Sequence, residues 1–318
     1  MTLLGIDLGG TKLALAILTD EGRILNRQTI PLGNRKGKEV GLLITDSIGY
    51  LSDIAATNGN KIDSIGISVP GISRNERGNV WAPNIRGWDD YPLLEEVREV
   101  CGEIPVIVDN DRACSVSGEC WKGNAQDCKN AIFITVGTGI GAGILVNGEI
   151  LRGEHDIAGA IGWMALNRPF DDKYSGCGFF EYFSSGEGIA RLAMTLLKTL
   201  KSYSGELRNK PVGKITSHDV FAAFQNSDPL ATDVIRQCIE YWGMAVANLV
   251  SLFNPEKIIF GGGVFGPAVR LIPEITREAR KWAQPVSMNQ VSIESSALGE
   301  DAGIYGAAFL ALKQMLIR

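Results

Sequence analysis

The chain has 318 residues, a formal net charge of −5, 45% hydrophobic residues and 21% charged residues. This length and composition predict a globular protein of two domains, and the charge argues against nucleic-acid and anionic-membrane partners. Because the chain has no apolar run of about 18 residues and no charged leader before a cleavage site, we expect a cytoplasmic protein without a membrane span.

The first half of the chain alternates strands with helices, which predicts an α/β fold. Its first 32 residues indicate three short strands, and a helix is predicted over residues 38–57. The strand IDSIGISVPG, a helix near residues 92–101 and the strand PVIVDND follow. A helix that starts near Asp111 and runs toward Trp121 marks the crossover between the two domains.

The second half continues the same alternation. Residues 187–204 and 230–253 have the apolar spacing of helices, and the segment KIIFGGGV is typical of a buried strand that opens another helix. A last helix over residues 302–315 is predicted to pack back on the first domain. The predicted domains are therefore residues 1–115 together with 302–318, and residues 116–301.

An internal repeat relates the two halves. The strand–glycine turn–strand plan of the N-terminus recurs in AIFITVGTGIGAGILVNGEIL, where Ile134 matches Ile6 and Gly137 matches Gly9. Two copies of one unit about 128 residues apart predict duplicated domains that face a central cleft.

The first glycine turn, DLGGTK at residues 7–12, has the residue types that bind a nucleotide phosphate. Gly9 and Gly10 let backbone N–H groups approach an anion, Thr11 offers a hydroxyl, and Lys12 offers a cation. Asp7 offers a carboxylate for a magnesium ion, held through water. The turn matches neither a Walker loop nor a Rossmann fingerprint, and a plain glycine hairpin is the alternative.

Two further glycine loops strengthen the nucleotide interpretation. GTGIGAG at residues 137–143 is the second copy of the turn, and FGGGV at residues 260–264 leaves room for a flat ring and phosphates at a strand end. The candidate nucleotide-binding residues are Asp7, Gly9, Gly10, Thr11, Lys12, Gly137, Thr138, Gly139, Gly261, Gly262 and Gly263.

A second group of polar residues lies at predicted strand ends, in the motifs VPG, APN and VDND. Asn84, Asn110 and Asp111 offer the donors and acceptors that bind sugar hydroxyls. Asp111 follows a strand, where open α/β sheets bind ligands, and its carboxylate can accept the proton of an attacking hydroxyl. A helix N-cap at Asn110 or Asp111 is the alternative interpretation.

The motifs IDLGGTK, SVPG, APN, VDND, GTGIGAGI and FNPEKIIFGGGV resemble those of the ROK family of sugar kinases and repressors, in order from about residue 3 to 312. The resemblance implies a two-lobed actin-like ATPase fold of the ribonuclease H-like type, shared with hexokinase and the Hsp70 ATPase domain. It also implies ATP with Mg²⁺, a hexose-like acceptor, and Asp111 as general base. The family often forms homo-oligomers, and we expect a dimer.

One segment departs from the family pattern, which reads GEIGH followed by a cysteine-rich stretch ending in glutamate. Ala160 and Trp163 stand where the family has Glu and His, Cys177 remains of the cysteine set, and Glu181 matches the last Glu. In the family the His and three Cys hold a structural zinc, and both Glu and the His contact sugar hydroxyls around C1 and C2. One sulfur cannot hold a four-coordinate zinc, so we expect none; His155 is interpreted as a surface residue.

The same segment is rich in aromatic residues, which have two interpretations. Phe179, Phe180, Tyr182 and Phe183 are either an apolar plug that replaces the zinc or ordinary core, and Trp163 either stacks on the acceptor or fills space. The predicted acceptor-binding residues are Asn84, Asn110, Asp111, Trp163 and Glu181.

These residues favour an ATP-dependent kinase for an unusual acceptor: a substituted hexose, a glycoside or a cyclitol. A non-catalytic sugar-binding protein and an ordinary glucokinase are the alternatives. Asp7, Lys12, Thr138 and Asp111 argue against the non-catalytic alternative, because a protein that only binds sugar needs no general base.

Overall fold

The computed structural model describes residues 1–74 and 78–317, and the chain divides into two compact units. The first unit comprises Met1–Asp127, Ile150–Ala158 and Ala297–Arg318, and the second comprises Cys128–Glu149 and Gly159–Ser296. The boundary predicted at residue 115 differs from this division, because residues 116–127 and 150–158 also lie in the first unit. In the part of the chain described, no helix combines the length and the apolar character needed to cross a membrane.

The first unit is built on a five-stranded sheet of order β3-β2-β1-β4-β7. Pairing of β2 with both neighbours is antiparallel, and β4 is parallel to both β1 and β7. Its elements are β1 (Thr2–Leu8), β2 (Lys12–Thr19), β3 (Ile24–Pro31), α1 (Lys38–Thr57), β4 (Ser64–Val69), β5 (Ile72–Arg74), β6 (Asn79–Trp81), α2 (Leu93–Cys101), β7 (Val106–Asn110) and α3 (Asp111–Lys122).

The second unit repeats this sheet as β10-β9-β8-β11-β12. β8 pairs antiparallel with β9 and parallel with β11, which is parallel to β12. The elements from residue 131 on are β8 (Ala131–Val136), β9 (Ile140–Val146), β10 (Glu149–Ile150), α4 (Phe179–Ser184), α5 (Gly186–Thr199), α6 (Ser217–Gln225), α7 (Pro229–Phe253), β11 (Lys257–Gly261), α8 (Ile272–Ala279), α9 (Pro285–Met288), β12 (Ser292–Ser295) and α10 (Ala302–Ile317), the last in the first unit. The common strand order confirms the predicted α/β class and the internal duplication.

Buried strands and helices form a separate core in each unit. All seven residues of β1 are buried or nearly so, as expected for a central strand with helices on its faces. The edge strand β3 alternates between exposed and half-buried residues. In the second unit, α7 lies at the centre of the core, and its Trp242 is completely buried.

The C-terminal helix α10 packs against α3, β1 and β4 within the first unit. Its approach to α3 requires a glycine, because a Cβ on Gly306 would lie 1.6 Å from the carbonyl oxygen of Cys114. This close contact explains why all of α3 belongs to the first unit, although the sequence placed the boundary inside it.

Several predicted helices occur with nearly the predicted bounds. The prediction for residues 38–57 coincides with α1, and α7 spans Pro229–Phe253 where 230–253 was predicted. α7 begins there because Asp228 caps it, its side chain accepting a hydrogen bond from Ala231 N at 2.9 Å, and because Pro229 takes the first helical position. The segment FGGGV differs from its prediction: two short 3₁₀ helices, Gly263–Phe265 and Pro267–Leu271, precede α8.

Candidate active site

The first glycine turn joins β1 to β2 as a tight hairpin in which Gly9 N donates a hydrogen bond to the Lys12 carbonyl at 2.9 Å. Gly10 and Thr11 are exposed at its tip. The ammonium of Lys12 forms an ion pair with Glu300, which lies just before α10. Because an exposed ion pair contributes about 0–1 kcal/mol, Glu300 holds the Lys12 ammonium only weakly.

Asp7 occupies the end of β1, behind this turn. Its Oδ1 accepts a hydrogen bond of 2.6 Å from the Ser68 hydroxyl on β4. Burial raises the pKa of Asp7 to about 6; the Ser68 hydrogen bond and Lys12 lower it, and the charge of Asp111 raises it further. The start of α10 also lies against this carboxylate, since a Cβ on Gly303 would be 2.5 Å from Asp7 Cγ.

Asp111 is the first residue of α3, at the carboxyl end of β7. Its side chain is 46% exposed, so the carboxylate is open to a reactant, and the Nε atom of Arg112 lies 4.0 Å from its Oδ1. Loss of bulk solvation raises the pKa of Asp111, and the Arg112 guanidinium offsets part of that rise. Arg112 itself is held by a hydrogen bond that its Nη2 donates to the Gly71 carbonyl at 3.2 Å.

Asn110, by contrast, is buried and caps α3. Its Oδ1 accepts a hydrogen bond from Ala113 N at 2.9 Å, and its Nδ2 donates to Asp109 Oδ1 at 3.3 Å. The structure therefore gives Asn110 the N-cap role that was the alternative in the sequence, and its contact with a sugar stays a prediction. Asn84 is exposed in the turn after β6 and lies near the first glycine turn: a Cβ placed on Gly10 would be 3.8 Å from the Cβ of Asn84.

A buried ion pair that the sequence analysis missed supports this strand end. Arg152 donates to both oxygens of Asp109, at 2.8 and 2.6 Å, and the Asp109 side chain is 1% exposed. Such a bidentate pair is geometrically specific, so it fixes the Ile150–Ala158 segment beside the residues that precede Asp111. The sequence signal for this pair was Asp109 itself, because a carboxylate in a buried strand requires a partner of opposite charge.

In the second unit, the turn between β8 and β9 is held at both ends. Gly137 N donates to the Gly139 carbonyl at 2.9 Å, which closes the turn. Ile140 N donates to Glu181 Oε2 at 2.6 Å, and Gly186 N donates to the Gly137 carbonyl at 2.7 Å. Residues 137–140, whose contact with nucleotide phosphates is a prediction, are called the second phosphate loop below.

A cavity of about 490 Å³ opens beside this loop, within the size range of small-molecule sites. Apolar side chains from α6 and the turn after β11 form much of its wall, and loop backbone lies along it. The sequence analysis predicted the loop and Gly263 but missed residues 215–218 and Phe221, whose signal was the capping box that begins α6 at Thr216. The lining residues are Gly137, Thr138, Gly186, Glu187, Ala190, Ile215, Thr216, Ser217, His218, Phe221, Gly263, Val264 and Pro267.

Trp163 ends a short 3₁₀ helix, Ile161–Trp163, and its side chain is 57% exposed. It therefore does not fill space in the core, which was one of the two interpretations. The neighbouring residue Ile161 is buried and anchors the turn. The backbone of Gly178 packs directly against that of Trp163, since a Cβ on Gly178 would lie 2.3 Å from Trp163 Cα.

The following segment is packed by aromatic rings. Tyr174 lies 5.1 Å from Phe179 and 5.3 Å from Tyr182 between ring centroids, and Phe179 lies 5.1 Å from Tyr241 on α7. Phe179 and Phe180 are buried, as both an apolar plug and ordinary core packing require, so the choice between the two stays a prediction. Within residues 1–74 and 78–317, no group of three or more His, Cys, Asp or Glu side chains has the arrangement to hold a metal ion.

Comparison with known proteins extends this picture over nearly the whole chain. The ROK family model matches residues 3–314. The chain is 36% identical over 319 residues to a glucokinase of Halalkalibacterium halodurans, covering 98% of this chain and 94% of that one. It is 26% identical over 315 residues to a beta-glucoside kinase of Listeria monocytogenes, covering 99% and 98%.

A solved structure shows the same architecture. The ROK family glucokinase of Streptomyces griseus, in complex with glucose and AMPPNP, superposes with a TM-score of 0.77 at 29% identity, covering 98% of this chain and 100% of that one. The shared fold and the family match agree with the glycine turns and the strand-end carboxylates described above. The chain belongs to the ROK family.

Proposed function

We propose that this protein transfers the γ-phosphate of ATP to a hydroxyl of a carbohydrate modified around C1 or C2, with Asp111 as general base. It is an ATP-dependent sugar kinase, as the family match and the glucokinase relatives indicate. The finer statement, that the acceptor is a glycoside, a substituted hexose or a cyclitol, depends on Ala160 and Trp163.

The nucleotide belongs in the cavity of the second unit. Apolar side chains such as Ile215 and Phe221 suit a base, and the backbone of the second phosphate loop suits the phosphates that extend from it. Gly261, Gly262 and Gly263, at the end of β11, add a further turn without side chains.

The first unit fits a hydrated Mg²⁺ ion near Asp7. This carboxylate has a raised pKa because burial leaves its charge poorly compensated, and a divalent cation with oxygen ligands supplies the compensation. When bound, Mg²⁺ neutralises charge on the phosphates during transfer. Thr11 and Lys12 lie on the same turn and would contact phosphate oxygens.

Asp111 performs the proton transfer. As the acceptor oxygen bonds to the γ-phosphorus and the bond to ADP breaks, the acceptor's hydroxyl proton passes to the Asp111 carboxylate. The Asp111 side chain is 46% exposed, so an acceptor hydroxyl can reach its carboxylate, and Arg112 favours the ionised form that a base requires. Asp109 and Arg152 hold the strand end from which Asp111 projects.

Trp163 is the observation that favours a modified acceptor. Where the family carries a Glu and a His, this chain presents Ala160 and a largely exposed indole ring. A sugar hydroxyl buried there without a partner would cost about 1–3 kcal/mol, whereas a substituent or ring face packs well on an indole. We propose for the same reason that the protein holds no zinc, since one sulfur, Cys177, is insufficient.

The test is kcat/KM with ATP and Mg²⁺ for glucose, N-acetylglucosamine, methyl glucosides and myo-inositol. We expect at least one modified acceptor to exceed glucose by about tenfold or more, because the two lost polar partners lower glucose turnover. The double variant Ala160→Glu, Trp163→His should shift preference back toward glucose, and Trp282→His serves as a control on another exposed Trp. Glucose as best acceptor, at about 10⁴ M⁻¹s⁻¹ or more, would refute the proposal.

A further inference from the structure

We infer that Glu181 is a positioning residue for the second phosphate loop, in addition to its predicted contact with the acceptor. The inference rests on the proposed function in one respect, since it takes residues 137–140 as the loop that contacts the nucleotide phosphates.

The first step of the argument is the fit of the carboxylate against the loop. Glu181 Oε2 accepts a hydrogen bond of 2.6 Å from the backbone N–H of Ile140, a residue that is 7% exposed. A Cβ on Gly139 would lie 2.7 Å from the same oxygen, and a Cβ on Gly162 would lie 3.0 Å from it. The carboxylate therefore occupies a space that two glycines leave open, which gives Gly139 a role besides its predicted contact with phosphate.

The second step is that the neighbours of Glu181 hold the loop from its other end. Gly186 N donates to the Gly137 carbonyl at 2.7 Å, and a Cβ on Gly186 would lie 2.9 Å from that oxygen. Ser185 caps α5 by accepting from Gly188 N at 3.0 Å. The junction of α4 and α5 thus contacts both ends of the loop with fixed geometry.

The third step is that this junction is itself anchored in the core. The indole N–H of Trp242, completely buried in α7, donates to the Ser184 carbonyl at 3.2 Å. The loop therefore takes its position from the core through α4, and Glu181 is the side chain that completes the link. Removing the Glu181 carboxylate leaves a buried N–H on Ile140 without an acceptor, which favours a different loop conformation.

Nucleotide affinity follows from loop position, because Gly137 and Thr138 line the cavity together with Gly186 and Glu187.

The test measures binding of the Mg²⁺ complex of AMPPNP by calorimetry, without any acceptor, to the full chain and its variants. Glu181→Met keeps the side-chain length and removes the acceptor oxygens, so we expect AMPPNP to bind at least about tenfold more weakly. Glu181→Gln keeps an oxygen that accepts from Ile140 N and should bind within about threefold of the parent protein. Glu240→Met, the same change at an exposed position of α7, should leave binding unchanged.

Hydrogen exchange gives a second measurement that does not depend on nucleotide. The amide of Ile140 should exchange at least about tenfold faster in Glu181→Met than in the parent or in Glu181→Gln, because its hydrogen bond opens. If Glu181→Met does not fold, Gly162→Ala tests the same contact without altering a predicted nucleotide ligand, since its methyl group would lie 3.0 Å from Glu181 Oε2, displace that oxygen and weaken AMPPNP binding.

The outcomes distinguish this inference from the proposed function. Absence of AMPPNP binding to the parent protein would overturn the proposed function. Parent-like AMPPNP affinity and parent-like exchange at Ile140 in folded Glu181→Met would overturn the positioning role while leaving the kinase assignment intact.

Discussion

Replacing Asp7 by Asn should make the protein more stable and far less active. Burial raises the pKa of the Asp7 carboxyl from its usual 3.8 to about 6, so the folded state binds this proton more tightly than the unfolded state does. At about 1.4 kcal/mol for each pH unit, that difference corresponds to about 3 kcal/mol. Asn removes the charge and keeps an oxygen that accepts the hydrogen bond from Ser68.

The sign of the pH dependence follows from the raised pKa. Below about pH 4, Asp7 is largely protonated in both the folded and the unfolded state, so it does not lower the free energy of unfolding. Between about pH 4 and pH 6 the unfolded state ionises first, so stability falls as pH rises, and the full cost of the buried charge is present above about pH 6. The advantage of Asp7→Asn should therefore be about 2–3 kcal/mol at pH 8 and small at pH 4.

The assay is urea unfolding of both proteins at a series of pH values, with a chelator present so that no Mg²⁺ compensates the charge. Turnover with Mg²⁺ and ATP is measured on the same preparations and should fall by at least about 100-fold in Asp7→Asn. An equal or lower stability of Asp7→Asn at pH 8, or an advantage that does not change with pH, would refute the reasoning.

The other expectations concern Asp111, zinc and Gly303. Asp111→Asn should lower kcat by at least about 100-fold, the low end of general-base effects, while AMPPNP still binds; near-normal turnover in a folded variant would contradict the assignment. Metal analysis of untagged protein should find far less than one zinc per chain, and a full equivalent whose removal unfolds the protein would show the prediction wrong. Gly303→Ala should lower the free energy of unfolding by about 1–3 kcal/mol because its methyl group would meet the Asp7 carboxyl group. Gly49→Ala should not, because its methyl group would lie more than 4 Å from every atom outside its own stretch of helix.

Features that depend on neighbouring residues were predictable from the sequence. The bounds of α1 follow from apolar spacing, those of α7 from apolar spacing and the Asp228 cap, and the glycine turns from local backbone requirements. The internal duplication, which the two sheets share, was predictable because it left matching residues such as Gly9 and Gly137. Each of these features is encoded by residues close together in the sequence, so sequence patterns reveal it.

Contacts between distant residues were not predictable in the same way. Arg152 and Asp109 are 43 positions apart, and Glu181 and Ile140 are 41 positions apart, so nothing local marks either pair. Asn110 illustrates a different limit, because one residue type serves equally as a helix cap and as a sugar ligand. Only the distance from its Oδ1 to Ala113 N distinguishes the cap.

The aromatic segment bears on both the proposed acceptor preference and the proposed absence of zinc. Phe179 packs edge to face with Tyr174 and with Tyr241, so ring contacts help to order this segment. None of these ring contacts involves Trp163, whose side chain is 57% exposed. If the proposed loss of zinc is correct, position 163 has no ligand role, and the proposed contact of its indole with the acceptor leaves these ring contacts unchanged.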